Sequence, residues 1–291
     1  EGDLQVYMHK AMKGRGLATT SGADVTERAV EEGAALVAAP PGPSCLVVLQ
    51  MPRGNLETIA PRALVLTAVA TALVAGDYAP AAAAVAAHRL DPNLLVDVGW
   101  PSFLTGAPAF VAAVVDDAAI SDLLRALKPA STVSPGGLYA WVARIPGAAG
   151  SEAAEGGTTD KVAAVARALR AALMAAGPAR YLRPLLTSHA ILGDLGSALA
   201  LVKARREAEL VAGCDIEASA APAPPALPPP SGEALGTARR RAAAVTGTAR
   251  PPTADAGLRH LLLSVPFETL YAAALASYDL GLAYLVALAA G

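Results

Sequence analysis

Histidine and cysteine are the residues here whose chemistry would be easiest to recognise from spacing, and the sequence holds four of the first and two of the second. Zinc, or a proton relay, requires several such groups to converge. His9 lies in an irregular start. His88, His189 and His260 each fall on an expected helix, with no set of His, Cys or carboxylate ligands spaced at i+3 and i+4. A solvated or hydrogen-bonded ring is expected at each. Ser188 and His189 are adjacent in "TSH", but neighbouring helical residues project about 100° apart and do not form a nucleophile and base pair. Cys45 and Cys214 show neither CxxC nor Cys/His ligand spacing, which argues against a disulfide framework and a structural zinc, and favours a reducing compartment.

Other candidates reduce in the same way. "KGRG" at 13 to 16 lacks the length and the Lys-Ser/Thr ending of a phosphate loop. Asp116 and Asp117 are expected to start a helix rather than to act as an acid/base couple. "KARRE" (203 to 207) and "RRR" (239 to 241) are basic clusters for which solvation is the plain reading and RNA or an acidic partner the sharper one. No catalytic, cofactor-binding or metal-binding residue is expected, and the chain is not expected to be an enzyme.

Composition leans helical and carries no strong net charge. The 291 residues carry 23 basic and 25 acidic side chains, so no overall positive field gathers nucleic acid or an anionic membrane. Hydrophobic residues make up 54% while aromatic ones make up 4%, so the core must be built from Ala, Leu and Val, which favours helices. Mean hydropathy is +0.43. The C-terminal "LYAAALASYDLGLAYLVALAAG" approaches the ~20 apolar residues of a membrane span. Asp279 in its middle would cost about 2.5 to 3.5 kcal/mol at the bilayer centre. A buried helical hairpin is therefore expected, with no membrane contact. The start "EGDLQVYMHK" shows no secretory pattern and does not open with Met, as expected of a fragment.

The elements that would position any site change character around residues 46 to 66, "LVVLQMPRGNLETIAPRALVL". Upstream, "ALVAA" and "CLVVLQ" read as two strands joined through "PPGPS". Two strands do not stand alone, so the rest of their sheet is expected before residue 1. Pro52 and Gly54 occupy the second and fourth positions of a type I turn. Asn55, or alternatively Thr58, is expected to cap a helix with Glu57 in its first turn. Arg53, Glu57 and Arg62 are placed to fasten this strand-to-helix junction.

Beyond it the period is helical. Ile120, Leu123, Leu124 and Leu127 form one apolar stripe, Val162, Val165, Leu169 and Leu173 a second, and Leu195, Leu199 and Val202 a third. "LVAGDYAPAAAAVAAHRLDPN" looks like the second half of a tetratricopeptide-type repeat. Later segments lack that signature on sequence grounds, which implies irregular helix pairs. "GLYAWVARI", inside the Pro- and Gly-rich stretch 129 to 158, reads as a packed loop or a short hairpin. Residues 212 to 256 are low in complexity and read as a disordered insertion.

The stretch "VLQMPRGNLETIAPRALVL" resembles the junction segment of the family formed by the largest subunit of the Elongator complex. "ERAVEEGAALVAAPP" is similar to the closing strands of that family's second β-propeller. "PARYLRPLLTSHAILGDLGSALALVKARRE" and "GLRHLLLSVPFETLYAAALASYDLGLAYLVALAAG" are similar to pieces of its helical solenoid, in the same order. The resemblance covers most of residues 26 to 291. It implies a mainly α fold, a tetratricopeptide-like α-solenoid preceded by the closing strands of a WD40-type propeller. The propeller would end at 54 (1–25 matching weakly) and the solenoid would run over 55–291.

It also implies a non-catalytic scaffold that needs no cofactor and supports wobble-uridine modification of tRNA. Implied partners are the catalytic radical S-adenosylmethionine and acetyltransferase-like subunit and a WD40 subunit. A second copy and tRNA would be engaged through regions beyond this chain, tRNA also indirectly. The compartment implied is the cytoplasm, and the nucleus besides. The junction residues Pro52, Arg53, Gly54, Asn55, Glu57, Thr58 and Arg62 are the structural site this reading singles out. Its alternative is a generic helical-repeat adaptor unrelated to tRNA.

Overall fold

A computed structural model describes residues 31–40, 45–148, 160–218 and 252–290, with the side chains of the long helix ending at 218 described through Ala212. The chain divides into two compact units, Glu1–Gly99 with Thr132–Ser151, and Trp100–Ser131 with Glu152–Gly291.

In the first unit β1 (Ala35–Ala38), β2 (Val47–Gln50) and β3 (Leu56–Ile59) form an antiparallel sheet in sequence order. Val47 and Leu49 alternate inward from β2 and are buried, as the period-2 pattern requires. Strand β3 pairs with β2 through Val48 opposite Thr58 and Leu49 opposite Glu57. Residues after the quoted turn thus supply a third strand to the two that were expected.

Helix α1 (Arg62–Val74) follows Pro61, which stands at its N-cap position. Proline fixes its own φ and drives the preceding residue away from helical geometry, so a helix cannot run through Ala60 into Pro61 without strain. The β-branched pair Thr58 and Ile59 prefers the pleat. These preferences outweigh the capping ability of Asn55 and Thr58. The expected helix start at 55 to 58 is therefore corrected to Arg62, and the strand-to-helix change falls at Pro61 rather than after Gly54.

Helix α1 buries Val65, Leu66, Val69, Ala70 and Leu73 along one face. It packs on α2 (Tyr78–Ala87), whose buried residues Ala81 and Val85 let the two backbones approach closely. The short α3 (Leu94–Asp97) follows. The chain returns to this unit from Thr132, where "GLYAWVARI" is a packed loop around a 3-10 turn, Ala140–Arg144, and not a hairpin. Buried Asp97 secures the return, its Oδ2 accepting from Thr132 N and Oγ1 at 2.7 Å each.

The second unit comprises α4 (Phe103–Ala113), α5 (Asp117–Ala126), α6 (Lys161–Ala176), α7 (Leu182–Ile191), α8 (Leu195–Ala218), α9 (Ala254–Leu262), α10 (Phe267–Ala276) and α11 (Leu280–Ala290). Helix α7 packs against α5, α6, α8 and α9, while α10 and α11 form a hairpin beside α8 and α9. The expected stripes point inward: Ile120, Leu123, Leu124, Val165, Leu169, Leu173, Leu199 and Val202 are all buried. Asp116 caps α5 by accepting from Ala118 N, and Asp160 caps α6 by accepting from Val162 N.

One turn recurs. Gly76, Gly193 and Tyr278 have φ of +78°, +72° and +55°. Each ends a helix and is followed by Asp77, Asp194 or Asp279 at the start of the next. The left-handed residue closes the last helical carbonyls and the aspartate opens a new helix. Asp194 Oδ1 accepts from Ser197 N at 3.2 Å and Asp279 Oδ1 from Leu282 N at 3.0 Å. The turn of the 73 to 93 unit thus recurs in "LGDLG" and "SYDLG", without its closing Asp-Pro-Asn.

Among the described residues no helix is long and apolar enough to cross a membrane. Asp279 separates α10 from α11 and binds Lys203 Nζ of α8 at 2.6 Å. The insertion expected at 212 to 256 also narrows. Helix α8 continues to Ala218. Thr253 caps α9, and buried Ala254 donates its N–H to Glu209 Oε1 at 3.1 Å. Residues 219–251, including "RRR", lie outside the described residues, as do His9, "KGRG", "PGPS" at 41 to 44 and the side chain of Cys214.

Candidate functional site

The junction residues come together as a hairpin turn. Gly54 N donates to Met51 O at 2.8 Å and Met51 N to Asn55 O at 2.9 Å, a type I turn closed by a left-handed glycine, here with φ of +87°. The turn assigned to Pro52 and Gly54 is present, but it joins β2 to β3. The Pro52 ring rests against Gly33, where an added Cβ would come within 3.3 Å. Asn55 Nδ2 donates to Glu57 Oε1 at 3.4 Å along the exposed β3 side of the hairpin. Thr58 is in mid-strand, and Arg53 makes no side-chain bond among the described residues.

Of the basic residues, Arg62 is bound, but to the 3-10 segment rather than to the turn. From the first position of α1 its Nη2 donates to the hydroxyl of Tyr139 at 3.0 Å, with the guanidinium carbon 5.6 Å from the ring centroid. The same hydroxyl accepts from Asp91 N at 2.9 Å. Tyr139 is 1% exposed, so one buried phenol ties helix start, α2–α3 turn and 3-10 segment together. Nothing in the sequence marks Tyr139 above its neighbour Trp141 in the same loop.

Two histidine clusters occur in the second unit, and neither is arranged for catalysis. His189 Nδ1 lies 3.2 Å from Asp194 Oδ2, with Arg170 Nη1 3.4 Å from the same oxygen. Burial and the Arg170 charge hold the His189 pKa below its ordinary value. Hydrogen bonding from Ser197 lowers that of Asp194. The Ser188 hydroxyl donates to Leu185 O, so it is not presented to the ring. The i+5 partner Asp194 was not found by i+3 and i+4 spacing because the left-handed Gly193 folds it back.

His260 of α9 is pushed down to about 4, first by burial and then by the Arg125 and Arg183 charges. Its Nε2 is 2.8 Å from Thr187 Oγ1. Thr187 spends its proton on Arg183 O, which assigns the hydrogen in that contact to Nε2 of a neutral ring. Arg125 Nη2 is 3.1 Å from Nδ1 and 3.2 Å from Nε2, a near-equidistance reached only above the ring face. Asp117 carries a carboxyl raised by burial, with Arg183 Nη1 3.9 Å from its Oδ2. These groups join α5, α7 and α9 as packing contacts. Among the described residues no three His, Cys, Asp or Glu side chains converge on a metal position.

An open groove of about 550 Å3 runs between α6 and α8. Arg167, Arg170, Ala171 and Met174 line it from α6, and Ser197, Ala200 and Leu201 from α8. His189 and Asp194 close one end.

The model of a known family, ELP1 alpha-solenoid, matches residues 62–221, more than half of the chain. Elongator complex protein 1 of Arabidopsis thaliana is 30% identical over 263 residues, covering 89% of this chain and 18% of that protein. Elongator complex protein 1 of Schizosaccharomyces pombe is 42% identical over 112 residues, 38% of this chain and 9% of that protein. That of Saccharomyces cerevisiae is 39% identical over 88 residues, 30% of this chain and 6% of that protein. The chain therefore spans less than a fifth of the length of these curated relatives.

Proposed function

Because the chain belongs to the ELP1 alpha-solenoid family, we propose that it is a scaffold segment of an Elongator complex, itself without a catalytic centre. Its role is to hold the catalytic subunit during wobble-uridine modification of tRNA. The observation that carries this reading is the long match of the helical region to that family, together with polar clusters spent on joining helices to one another. In this reading β1 to β3 are the closing strands of a propeller. A WD40 subunit is a further partner, and dimerisation and direct tRNA contact belong to regions beyond this chain. The complex works in the cytoplasm and also in the nucleus.

The test is a chimera. Residues 31–290 replace the matching segment of full-length fission yeast Elongator complex protein 1, and the complex is purified through that subunit. Co-purification of the catalytic subunit at the native ratio supports the reading. A chimera that accumulates normally yet recovers none overturns it, in favour of an adaptor unrelated to tRNA.

A further inference from the structure

The groove between α6 and α8 has a charge and polarity pattern that its own residues do not complete. On α6, Arg167, Arg170 or Ala171, and Met174 follow at i, i+3 or i+4, and i+7, so they share one face over about 10 Å of helix. Arg167 is exposed and has no hydrogen-bond or ion-pair partner among the described residues. Arg170 shares a single oxygen of Asp194 with His189. The other Asp194 oxygen is held by Ser197 N. The one carboxylate lining the groove is thus committed, while two guanidinium groups face it. Met174 is 44% exposed there, and Leu201 is half-buried on the opposite wall.

We propose that this groove docks an acidic segment of another protein chain. One of its carboxylates sits on Arg167 and the free side of Arg170, and an apolar side chain lies between Met174 and Leu201. This goes one step past the scaffold reading and rests on it. Charge complementarity selects the carboxylate, since a guanidinium fork binds a carboxylate through two parallel hydrogen bonds. The apolar walls select an aliphatic anchor two helical turns or less away. Nucleic acid fits less well: no aromatic side chain lines the groove for base stacking.

The experiment uses this chain and a defined probe, a fluorescein-labelled 15-residue helical peptide of Ala and Gln carrying Glu, Glu and Leu on one face at i, i+3 and i+7. The companion probes replace both Glu by Gln, or are a fluorescein-labelled oligouridylate. Binding of the Glu peptide should weaken about tenfold on Glu→Gln exchange in the peptide and about tenfold in Arg167→Glu, and fall further with added salt. Met174→Ser should weaken the Glu peptide and the Gln peptide by the same factor. Arg206→Glu, on α8 outside the groove, serves as the charge control and should leave binding unchanged. Arg167→Glu removes no internal contact, and an unaltered circular dichroism melt confirms that it folds.

Equal binding of Glu and Gln peptides, indifference to Arg167→Glu, absence of Glu-peptide binding, or oligouridylate binding lost in Arg167→Glu would each overturn the proposal, the last in favour of RNA. No Elongator subunit is in this assay, so its failure leaves the chimera result untouched. Failure of the chimera likewise leaves the peptide result standing.

Discussion

Arg62 reaches the buried hydroxyl of Tyr139, 77 residues further along the chain, at 3.0 Å. The first residue of α1 is thereby fixed to the segment that returns from Thr132. Tyr139→Phe removes the acceptor for both Arg62 and Asp91 N, and an unsatisfied amide is the expensive part. A loss of about 1 to 3 kcal/mol in urea unfolding is expected. Arg62→Met, which keeps the apolar stem and leaves the phenol bonded to Asp91 N, should cost less than Tyr139→Phe.

At the hairpin the backbone matters more than the side chains. Gly54 has φ of +87°, with open space where a Cβ would point, so the cost of a side chain there is conformational. Gly54→Val should destabilise the first unit by about 1 to 3 kcal/mol, a β-branched residue being poorly suited to that region. Asn55→Ala removes a 3.4 Å surface hydrogen bond and no helix cap, so it should be near neutral in the same denaturant titration.

In the second unit Leu169 is fully buried on α6, which packs against α4 and α7. Leu169→Ala should cost about 2 to 5 kcal/mol, and Leu123→Ala on α5 a similar amount, by chemical denaturation. Met174→Ala on the same helix as Leu169, with its side chain partly in the groove, should cost clearly less.

His260 makes stability depend on pH in a defined direction. Its folded pKa is about 4, below the ordinary 6.5, so the unfolded chain takes up the proton first as pH falls. The contribution is complete above pH 6.5 and is lost progressively between 6.5 and about 4. It amounts to no more than about 2 kcal/mol once solvent screening at this partly exposed ring is allowed for. The charged groups acting on it are Arg125 on α5 and Arg183 on α7, which themselves lie beside Asp122 and Asp117. His260→Gln should flatten the fall in melting temperature over that window. An unchanged slope would place the titration elsewhere, His189 being the other depressed ring.

Helices α5 and α6 were legible because each writes its buried face in an i, i+3, i+4, i+7 stripe, as Ile120, Leu123 and Leu124 do. The type I turn at Pro52 and Gly54 was legible because proline and glycine favour specific dihedral angles. What followed the turn was misread. Asn55 and Thr58 carry good capping side chains, but capping is worth about 1 kcal/mol and cannot overcome a proline three residues after Thr58 together with a sheet edge waiting for a third strand. The hub at Tyr139 and the Asp194–His189 contact were illegible for another reason. Both depend on the path of the backbone between the partners, and a left-handed Gly193 or a return at Thr132 leaves no spacing rule to read. The groove was half written: Arg167, Arg170 and Met174 share a helix face in the sequence, but the opposing wall comes from α8.

The most direct test of the scaffold account is mass spectrometry of tRNA nucleosides from fission yeast whose only Elongator complex protein 1 is the chimera carrying residues 31–290 of this chain. The account predicts wobble-uridine modification restored to the wild-type level. Chimera present in wild-type amount with wobble uridines left unmodified would contradict it.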